Sequence, residues 1–249
     1  MSKSSRSNPA KIVFVTGTDT GAGKTLLTAL LLDLLRRSGV RALAMKPFCS
    51  GSRADVEFLS AVQNHELPTE MLNPFYFREP IAPLIAARKQ GSRIELKAVV
   101  ARIREVQKSC DCLLVEGSGG LMVPLGEDYS VLDLINKLGG PVIVAARNRL
   151  GVINHAVMTI KIMEYVGVKI NKIVLMGCKR SDISAHTNRN TLAELLPATP
   201  VYQLPFLAGR WNRLSAIKSN RKKTKKTLAQ ILGADTLSYV HCEHAVRSD

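Results

Sequence analysis

The sequence predicts an α/β fold in which a doubly wound, mostly parallel sheet carries helices on both faces. Strand-like runs alternate with helix-like segments along most of the 249 residues, a pattern typical of parallel sheets. Several strand candidates are continuous apolar runs, as expected for strands that are covered on both sides. The first strand candidate also leads directly into a glycine-rich loop and a helix, the order that phosphate-binding loops require.

The first part of the chain contains two strand candidates with a helix between them. The β-branched run Lys11–Gly17 (KIVFVTG) is the first predicted strand, and the second is the short apolar run Arg41–Lys46, which Pro47 ends. Between them, Thr25–Ser38 places leucines at helical spacing and stops at Gly39, which predicts a helix.

The same alternation continues to about residue 207. Helices are predicted after Pro80, with Gly91 past the end, and over Ile94–Lys108, where the apolar residues have a helical period. The remaining strand candidates are Cys112–Val115, Val142–Ala146, Ile173–Met176 and Val201–Leu204, and the remaining helix candidates are Val131–Leu138, Val152–Val166 and Thr191–Leu196.

The predicted organisation is one domain with two flanking segments. Residues 1–10 are predicted to be a short disordered leader, residues 11–208 a single α/β domain, and residues 209–249 a basic C-terminal extension. No internal repeat is visible, and no domain boundary is indicated before about Gly209.

Composition excludes several classes of protein. Hydrophobic residues make up 46% and charged residues 22% of the chain, which excludes wholesale disorder and fibrous character. No apolar run reaches the roughly 18 residues of a membrane-spanning helix, and no apolar stretch of a secretory signal follows the N-terminus. The five cysteines are an odd number and do not suggest a disulfide framework, so a cytoplasmic protein is predicted.

The net charge of +15 raises the question of a polyanionic partner. Residues 210–226 hold eight basic and no acidic residues, so over half of the excess lies in one short stretch. A solvated extension is the favoured interpretation, with no membrane or nucleic-acid partner, and the extension is expected to be dispensable for chemistry. In the alternative, Leu228, Ile231 and Leu232 form a small helix that docks on the domain.

The strongest local signal is the loop Gly17–Thr25 (GTDTGAGKT), which lies between the first strand and the first helix. Backbone N–H groups of such a loop surround phosphate oxygens, and the helix N-terminus favours the same negative charge. Lys24 is expected to reach the β- and γ-phosphates, and the Thr25 hydroxyl is expected to bind Mg²⁺. The spacing is one residue longer than the standard phosphate-binding loop.

Two further charged residues follow predicted strands. Glu116 comes directly after Cys112–Val115, and Lys46 ends the second strand candidate. Because ligands of open α/β sheets gather at the carboxyl ends of the strands, Glu116 should face the same crevice as Lys24. A carboxylate oxygen is the type of ligand that Mg²⁺ prefers, whereas Lys46 alone would be a weak signal.

Several motifs in order make the sequence resemble the dethiobiotin synthetases, from the first strand to about Leu207. The matching pieces are VTGTDTGAGKT (15–25), KPFCSGS (46–52), NP (73–74), EPIAP (79–83), VEGSGGLMVPL (115–125), RNRLGVINH (147–155) and PVYQLPFL (200–207). The lengthened loop is itself characteristic of that family. The resemblance implies a P-loop NTPase-like fold and an ATP-dependent ligase that forms the ureido ring of dethiobiotin from 7,8-diaminopelargonate and CO₂.

The resemblance also assigns roles to individual residues. The implied catalytic residues are Lys24, Lys46 and Thr20, and the implied metal ligands for Mg²⁺ are Thr25, Asp55 and Glu116. ATP is expected on Gly21, Ala22, Gly23, Lys24 and Thr25, with Pro205 and Leu207 at the base. The diamine or its carbamate is expected on Thr20, Lys46, Ser50, Gly119, Gly151, Val152 and Asn154.

Gly151, Val152 and Asn154 lie at the start of a predicted helix, and in the family the neighbouring subunit supplies this helix end to hold the substrate carboxylate. A helix N-terminus is a suitable position for an anion, so the resemblance implies a homodimer with shared sites.

Two features depart from the family. Many members have Asn-Asp or Asn-Glu where Gly177-Cys178 stand here, and that asparagine reads the adenine edge; the basic extension has no counterpart. The main alternative is a P-loop switch ATPase of the partitioning type with a polyanion-binding tail. That class has a lysine where this chain has Asp19, five residues before Lys24. A related ligase with another diamine or acid is a further alternative, whereas a glutamine amidotransferase would need a longer chain.

Overall fold

The computed structural model describes residues 10–168, 170–208 and 212–233 of the chain. The strands are β1 (Lys11–Gly17), β2 (Ala42–Met45), β3 (Phe48–Ser50), β4 (Phe75–Phe77), β5 (Cys112–Glu116), β6 (Pro124–Gly126), β7 (Tyr129–Ser130), β8 (Val142–Arg147), β9 (Ile170–Met176) and β10 (Val201–Leu204). The helices are α1 (Lys24–Arg37), α2 (Ala54–Val62), α3 (Thr69–Leu72), α4 (Pro83–Lys89), α5 (Leu96–Gln107), α6 (Val131–Leu138), α7 (Val152–Tyr165), α8 (Asn188–Leu195) and α9 (Leu214–Leu232).

Six strands form one parallel sheet in the order β10-β9-β8-β1-β5-β2. The strands at its centre are apolar and buried along their length because helices cover both faces, so they have no polar face to alternate with. The predicted fold class is therefore confirmed. Since β1 lies between β5 and β8, the loop that follows β1 is flanked by the ends of both neighbours.

Two small two-stranded pairs lie beside the main sheet. Strand β3 pairs in parallel with β4, and β6 pairs antiparallel with β7. The pair β3–β4 matters for the site because Ser50 ends β3, while α2 carries Asp55 in its first turn. Sequence periodicity did not predict these elements, since two or three residues are too few to show a period.

Helix α9 corrects the expectation of a solvated basic extension. It runs for 19 residues and buries Ile217, Leu228, Ile231 and Leu232 against the domain, with α1 as its main neighbour. The Arg221 guanidinium pairs with Asp33 of α1 through two hydrogen bonds of 2.6 and 3.1 Å. The alternative of a docked helix is thus the observed one, and the helix is longer than the three apolar residues suggested.

The predicted leader also ends earlier than expected. Ala10 is buried in the core, and its carbonyl accepts a hydrogen bond from the Gln107 side chain. The rest of the predicted leader, residues 1–9, and residues 209–211 and 234–249 of the predicted extension lie outside the described residues.

Candidate functional site

The loop between β1 and α1 depends on two glycines in the left-handed region, Gly21 (φ 71°) and Gly23 (φ 96°). A Cβ on Gly23 would lie only 2.9 Å from Cγ of Met176, so both the backbone angle and the available space require glycine there. Close packing of the loop on Met176 directs its backbone toward the cleft and starts α1 at Lys24.

Lys24 is buried beneath this loop. Its Nζ donates hydrogen bonds to the carbonyl oxygens of Asp19 (2.9 Å) and Gly119 (2.7 Å), so the ammonium is held without a direct ion pair. Burial lowers the pKa of Lys24 to about 8, and the nearby Lys46 charge lowers it too, against the opposing effect of Glu116. A phosphate group would relieve the desolvation by supplying negative charge.

Lys46, Asp55, Glu116 and Thr25 form one hydrogen-bonded cluster beside Lys24. Oε1 of Glu116 accepts from the Thr25 hydroxyl (2.7 Å) and from Lys46 Nζ (2.8 Å), and Lys46 also pairs with Asp55. Burial opposes the charge on Lys46, but the two carboxylates outweigh it and raise its pKa above the ordinary lysine value. The cluster therefore binds its own cation firmly.

The cluster fits the predicted magnesium ligands. The Thr25 hydroxyl and the carboxylates of Asp55 and Glu116 are hard oxygen donors, the type Mg²⁺ prefers. Oε2 of Glu116 is buried and has no hydrogen-bond partner within the described part of the chain, which leaves one carboxylate oxygen available. Among the residues that the structure describes, no three His, Cys, Asp or Glu side chains lie close enough together to hold a metal. The Thr25 hydroxyl is therefore a necessary member of the proposed set of magnesium ligands.

A cleft of about 930 Å³ joins this cluster to the ends of β9 and β10. Thr20, Ser50 and Gly119 line it near the loop, together with Lys24 and Lys46. Ser50 Oγ is buried without a partner among the described residues and is thus available to a ligand. The loop residues Gly21, Ala22, Gly23 and Thr25, with Asp55, line the same cleft.

The far end of the cleft is formed by main chain. Gly177 follows β9, and its N–H donates to the carbonyl of Leu204 at 2.9 Å. A Cβ on Gly177 would lie 2.3 Å from the backbone nitrogen of Phe206 and 2.7 Å from the carbonyl carbon of Pro205. The strand ends are so close here that position 177 has no room for any side chain, and Pro205, Phe206 and Leu207 line the cleft instead.

The start of α7 does not line the main cleft. Val152 lines a smaller pocket with Thr18, Asp19, Thr20, Ala22, Arg147, Arg149, Leu150 and His155. Gly151 (φ 90°) caps α7, and Gly151 and Asn154 are exposed and line neither cavity. A single chain therefore brings Thr20, Lys46, Ser50 and Gly119 together in the main cleft, whereas Val152 lines only the smaller pocket and Gly151 and Asn154 line neither.

Leu150 is 80% exposed and Met158 is 55% exposed. Leu150 lies in the turn before α7, and Met158 lies on the same face of α7 as Asn154, so the start of this helix presents apolar side chains to its surroundings.

Arg147 is a cleft residue that the sequence reasoning missed. It is the last residue of β8, directly after a buried apolar run, and it lines both the main cleft and the smaller pocket. A charged residue at the carboxyl end of a central strand was the available signal, the same one that singled out Glu116.

The thiols of the domain differ in their surroundings. Burial raises the pKa of Cys110 to about 11 and that of Cys112 to about 12. Cys178 is only half-buried and lines the cleft next to Gly177.

Among the helices that the structure describes, none has the length and apolar character needed to cross a membrane.

Comparison with known proteins places this geometry in a family. A family model described as an AAA domain matches residues 11–209. An ATP-dependent dethiobiotin synthetase BioD of Bacillus licheniformis is 38% identical over 198 residues, covering 75% of this chain and 84% of that protein. The enzyme of the same name from Anaeromyxobacter sp. is 37% identical over 197 residues, covering 77% and 88%. The chain belongs to the dethiobiotin synthetase family.

Solved structures support the fold of this dethiobiotin synthetase family member at a greater distance. The septum site-determining protein MinD of Pyrococcus horikoshii, complexed with Mg-ADP, superimposes with a TM-score of 0.58 at 15% identity, covering 95% of this chain and 98% of that one. The pNOB8 ParA bound to nonspecific DNA gives 0.55 at 11% identity, covering 93% and 98%. At these identities the likeness is one of fold alone.

Proposed function

We propose that this chain is an ATP-dependent dethiobiotin synthetase, which converts 7,8-diaminopelargonate and CO₂ to dethiobiotin in biotin biosynthesis. The family relatives cover about three quarters of the chain. The observation that carries the proposal is the cleft itself, where the glycine-rich loop and Lys24 face Lys46 and Asp55. Glu116 is buried behind them and accepts hydrogen bonds from Lys46 and Thr25. Both ends of a phosphoryl transfer, the nucleotide and the acceptor, need cations and oxygen ligands of this kind.

The reaction has three bond-forming steps. One amine of the substrate attacks CO₂ and loses a proton to give a carbamate. A carbamate oxygen then attacks the γ-phosphorus of ATP, and ADP leaves, which yields a carbamic-phosphoric anhydride. The second amine attacks the anhydride carbonyl and loses a proton, phosphate leaves with the bonding electrons, and the ureido ring closes.

The residues of the cleft bring together two anions that repel one another, the triphosphate of ATP and the carbamate. Lys24 lies at the start of α1, where it is placed to meet the β- and γ-phosphates, while the amides of Gly21, Ala22 and Gly23 bind phosphate oxygens. Lys46 stabilises charge on the carbamate, because its pKa is raised and it remains protonated. Thr20, Ser50 and Gly119 orient the carbamate from the walls of the cleft.

Magnesium would be held by Thr25, Asp55 and Glu116. When bound, the ion supplies positive charge that neutralises phosphate oxygens as they approach the carbamate. Lys46 already pairs with both carboxylates, so it keeps them in place before the ion arrives.

The base of ATP is assigned to the main-chain end of the cleft. Pro205 and Leu207 offer backbone groups there, and Phe206 offers a ring that is 40% exposed. No side chain at position 177 reads the base edge, since none fits.

A homodimer completes the site in this proposal. Gly151 caps α7 and Val152 and Asn154 lie in its first turn, near the exposed Leu150, and none of the three lines the main cleft of its own chain. The partner subunit's copy of this helix start would bind the substrate carboxylate, as a helix N-terminus favours an anion. Cytoplasmic location stays a prediction from the cysteine count.

The direct test is to incubate the purified protein with diaminopelargonate, bicarbonate, Mg²⁺ and ATP and to identify dethiobiotin by mass. We expect one ADP and one phosphate for each dethiobiotin formed, and no product when any one substrate is omitted. ATP hydrolysis that is independent of the diamine, with no dethiobiotin, would contradict the proposal and favour the switch-ATPase alternative. Position 19 argues against the switch-ATPase alternative, because that class has a lysine there and this chain has Asp19. In this structure the Asp19 carbonyl accepts a hydrogen bond from Lys24.

A further inference from the structure

The charged side chains of the cluster cancel one another. Lys24 and Lys46 bring two positive charges, while Asp55 and Glu116 bring two negative ones. Lys46 is paired with both carboxylates, and Lys24 donates to two carbonyl oxygens. The proposed reaction places a triphosphate and a carbamate in this cleft, so more positive charge is needed than these four groups supply.

Arg147 is a further cation on the same cleft. It ends β8, which pairs with β1 through Gly17 and Ala145, and the N–H of Thr18 donates to the Ala145 carbonyl at 3.0 Å. Arg147 is thus placed beside the first residues of the phosphate loop. Its side chain is exposed and makes no ion pair or hydrogen bond with any residue that the structure describes.

Two other cations near the cleft are less well placed. Lys179 lines it but follows Gly177-Cys178 at the main-chain end. Arg149 lines only the smaller pocket, whereas Arg147 lines that pocket and the main cleft together with Thr20 and Ala22 of the loop. Arg147 alone therefore combines a position beside the loop with access to the cleft.

We propose that Arg147 binds oxygens of the β- or γ-phosphate of the nucleotide, with its planar guanidinium donating two hydrogen bonds. Arginine suits this role because its fixed fork matches the geometry of two phosphate oxygens, and no carboxylate of the described chain competes for it. The proposal rests on the proposed function for the identity of the reaction, but nucleotide binding can be measured without turnover.

The experiment compares Arg147→Gln with Arg149→Gln, a matched control that removes the same charge two residues away. Calorimetry with ATP, ADP and AMP at fixed salt gives the dissociation constants, and circular dichroism checks the fold. Loss of a charge-assisted pair should weaken ATP binding by about tenfold or more in Arg147→Gln. AMP, which lacks the β- and γ-phosphates, should bind as to the original chain, and Arg149→Gln should bind ATP normally. Arg147→Lys should recover only part of the loss.

Equal ATP affinity of Arg147→Gln and the original chain would overturn the proposal. So would a loss confined to diaminopelargonate binding, because the anion would then be the substrate carboxylate. An original chain that binds ATP but forms no dethiobiotin would count against the proposed function only, and the Arg147 comparison would still be decided by the ATP affinities.

Discussion

The two ends of the cleft differ in composition, since side chains form most of one end and main chain forms most of the other. At the phosphate end, the side chains of Lys46 after β2, Thr25 of α1, Asp55 of α2 and Glu116 of β5 are joined by direct hydrogen bonds. At the base end, the backbone of residues 204–206 packs so closely on Gly177 that no side chain fits between them. Substitution of a side chain should therefore have large effects at the first end and small effects at the second.

This difference also separates chemistry from selectivity. In the proposed reaction, phosphate and carbamate charge is stabilised by particular side chains, whose loss neighbours would not compensate. Backbone groups at the base end are present whatever the sequence, and they discriminate between bases only through their geometry.

The largest effect is expected at Lys24. Replacement by Ala removes the ammonium that meets the phosphates, and turnover should fall by about 10³-fold or more. The measurement is the rate of dethiobiotin formation, with thermal unfolding to check the fold. Lys97→Ala is the control, because Lys97 pairs only with Glu95 on the surface. Near-normal turnover in a folded Lys24→Ala protein would remove the assignment of the phosphate loop.

The next largest effect is expected for α9, which packs against α1 and so supports the phosphate end of the cleft. Ile231 of α9 is fully buried, so Ile231→Ala should lower the free energy of unfolding by about 2–5 kcal/mol. Lys222→Ala on the exposed face of the same helix should change it by about 0.5 kcal/mol or less. Denaturant unfolding measures both. A chain ending at Ala208 loses the whole helix and exposes α1, so it should be less stable than either variant; equal stability of all four proteins would show that α9 is dispensable.

Mixed dimers test whether the phosphate end borrows residues from a partner subunit. Lys46→Ala and Asn154→Ala chains should each be inactive alone, since each lacks one part of every site. After random mixing of equal amounts, half of the dimers are heterodimers, and each heterodimer has one intact site and one defective site. About a quarter of full activity should therefore return. A heterodimer that is proven by mass but shows no recovered activity would indicate that each site is built from one chain.

The base end should tolerate changes of nucleotide. With no side chain at position 177 to pair with adenine, CTP, GTP and UTP should support turnover within about tenfold of ATP, or roughly 1.4 kcal/mol. The measurement is kcat/KM for the four nucleotides at saturating diamine and bicarbonate. A preference for ATP above about a hundredfold would contradict this prediction and mean that another group has replaced the missing asparagine. Gly177→Asn should destabilise the fold instead of adding selectivity, because its Cβ meets the backbone of Phe206.

The smallest expected effect is the uptake of a fraction of a proton when ATP binds. At pH 8, the pKa of about 8 leaves Lys24 half protonated in the empty site. A bound triphosphate raises this pKa, so binding of ATP in excess Mg²⁺ at pH 8 should take up about half a proton, and the same binding near pH 6.5 should take up almost none. Calorimetry in two buffers of different ionisation enthalpy measures the uptake. Lys24→Met should abolish it, and an uptake that does not change between the two pH values would contradict the assignment.

The sequence predicted the main sheet because its strands are long apolar runs. All six strands of the parallel sheet coincide with predicted runs, although β9 begins three residues earlier than the predicted Ile173. The short strands β3, β4, β6 and β7 could not be predicted, since their positions depend on contacts between distant segments. Helix α9 was misjudged because its lysines dominate the composition, while its few buried residues are spaced over several turns.

The site was predictable where chemistry requires a residue type. Lys24, Thr25 and Glu116 were named from their positions after predicted strands, whereas Asp55 and the role of Lys46 came from the family resemblance. The structure joins Thr25, Lys46, Asp55 and Glu116 by hydrogen bonds and places Lys24 beside them. Their roles stay predictions until they are tested. The crowding at Gly177 could not be foreseen, because it depends on how close two strand ends approach.

The uneven exposure of the thiols makes a spectroscopic reporter available. Cys110 and Cys112 are buried and hold their protons, so they should resist alkylation, and Cys49 is buried with a raised pKa as well. Cys178 is half-buried at the base end of the cleft. Once Cys242, which lies outside the described residues, is replaced by Ser, a fluorophore on Cys178 would sense each nucleotide as it arrives and departs.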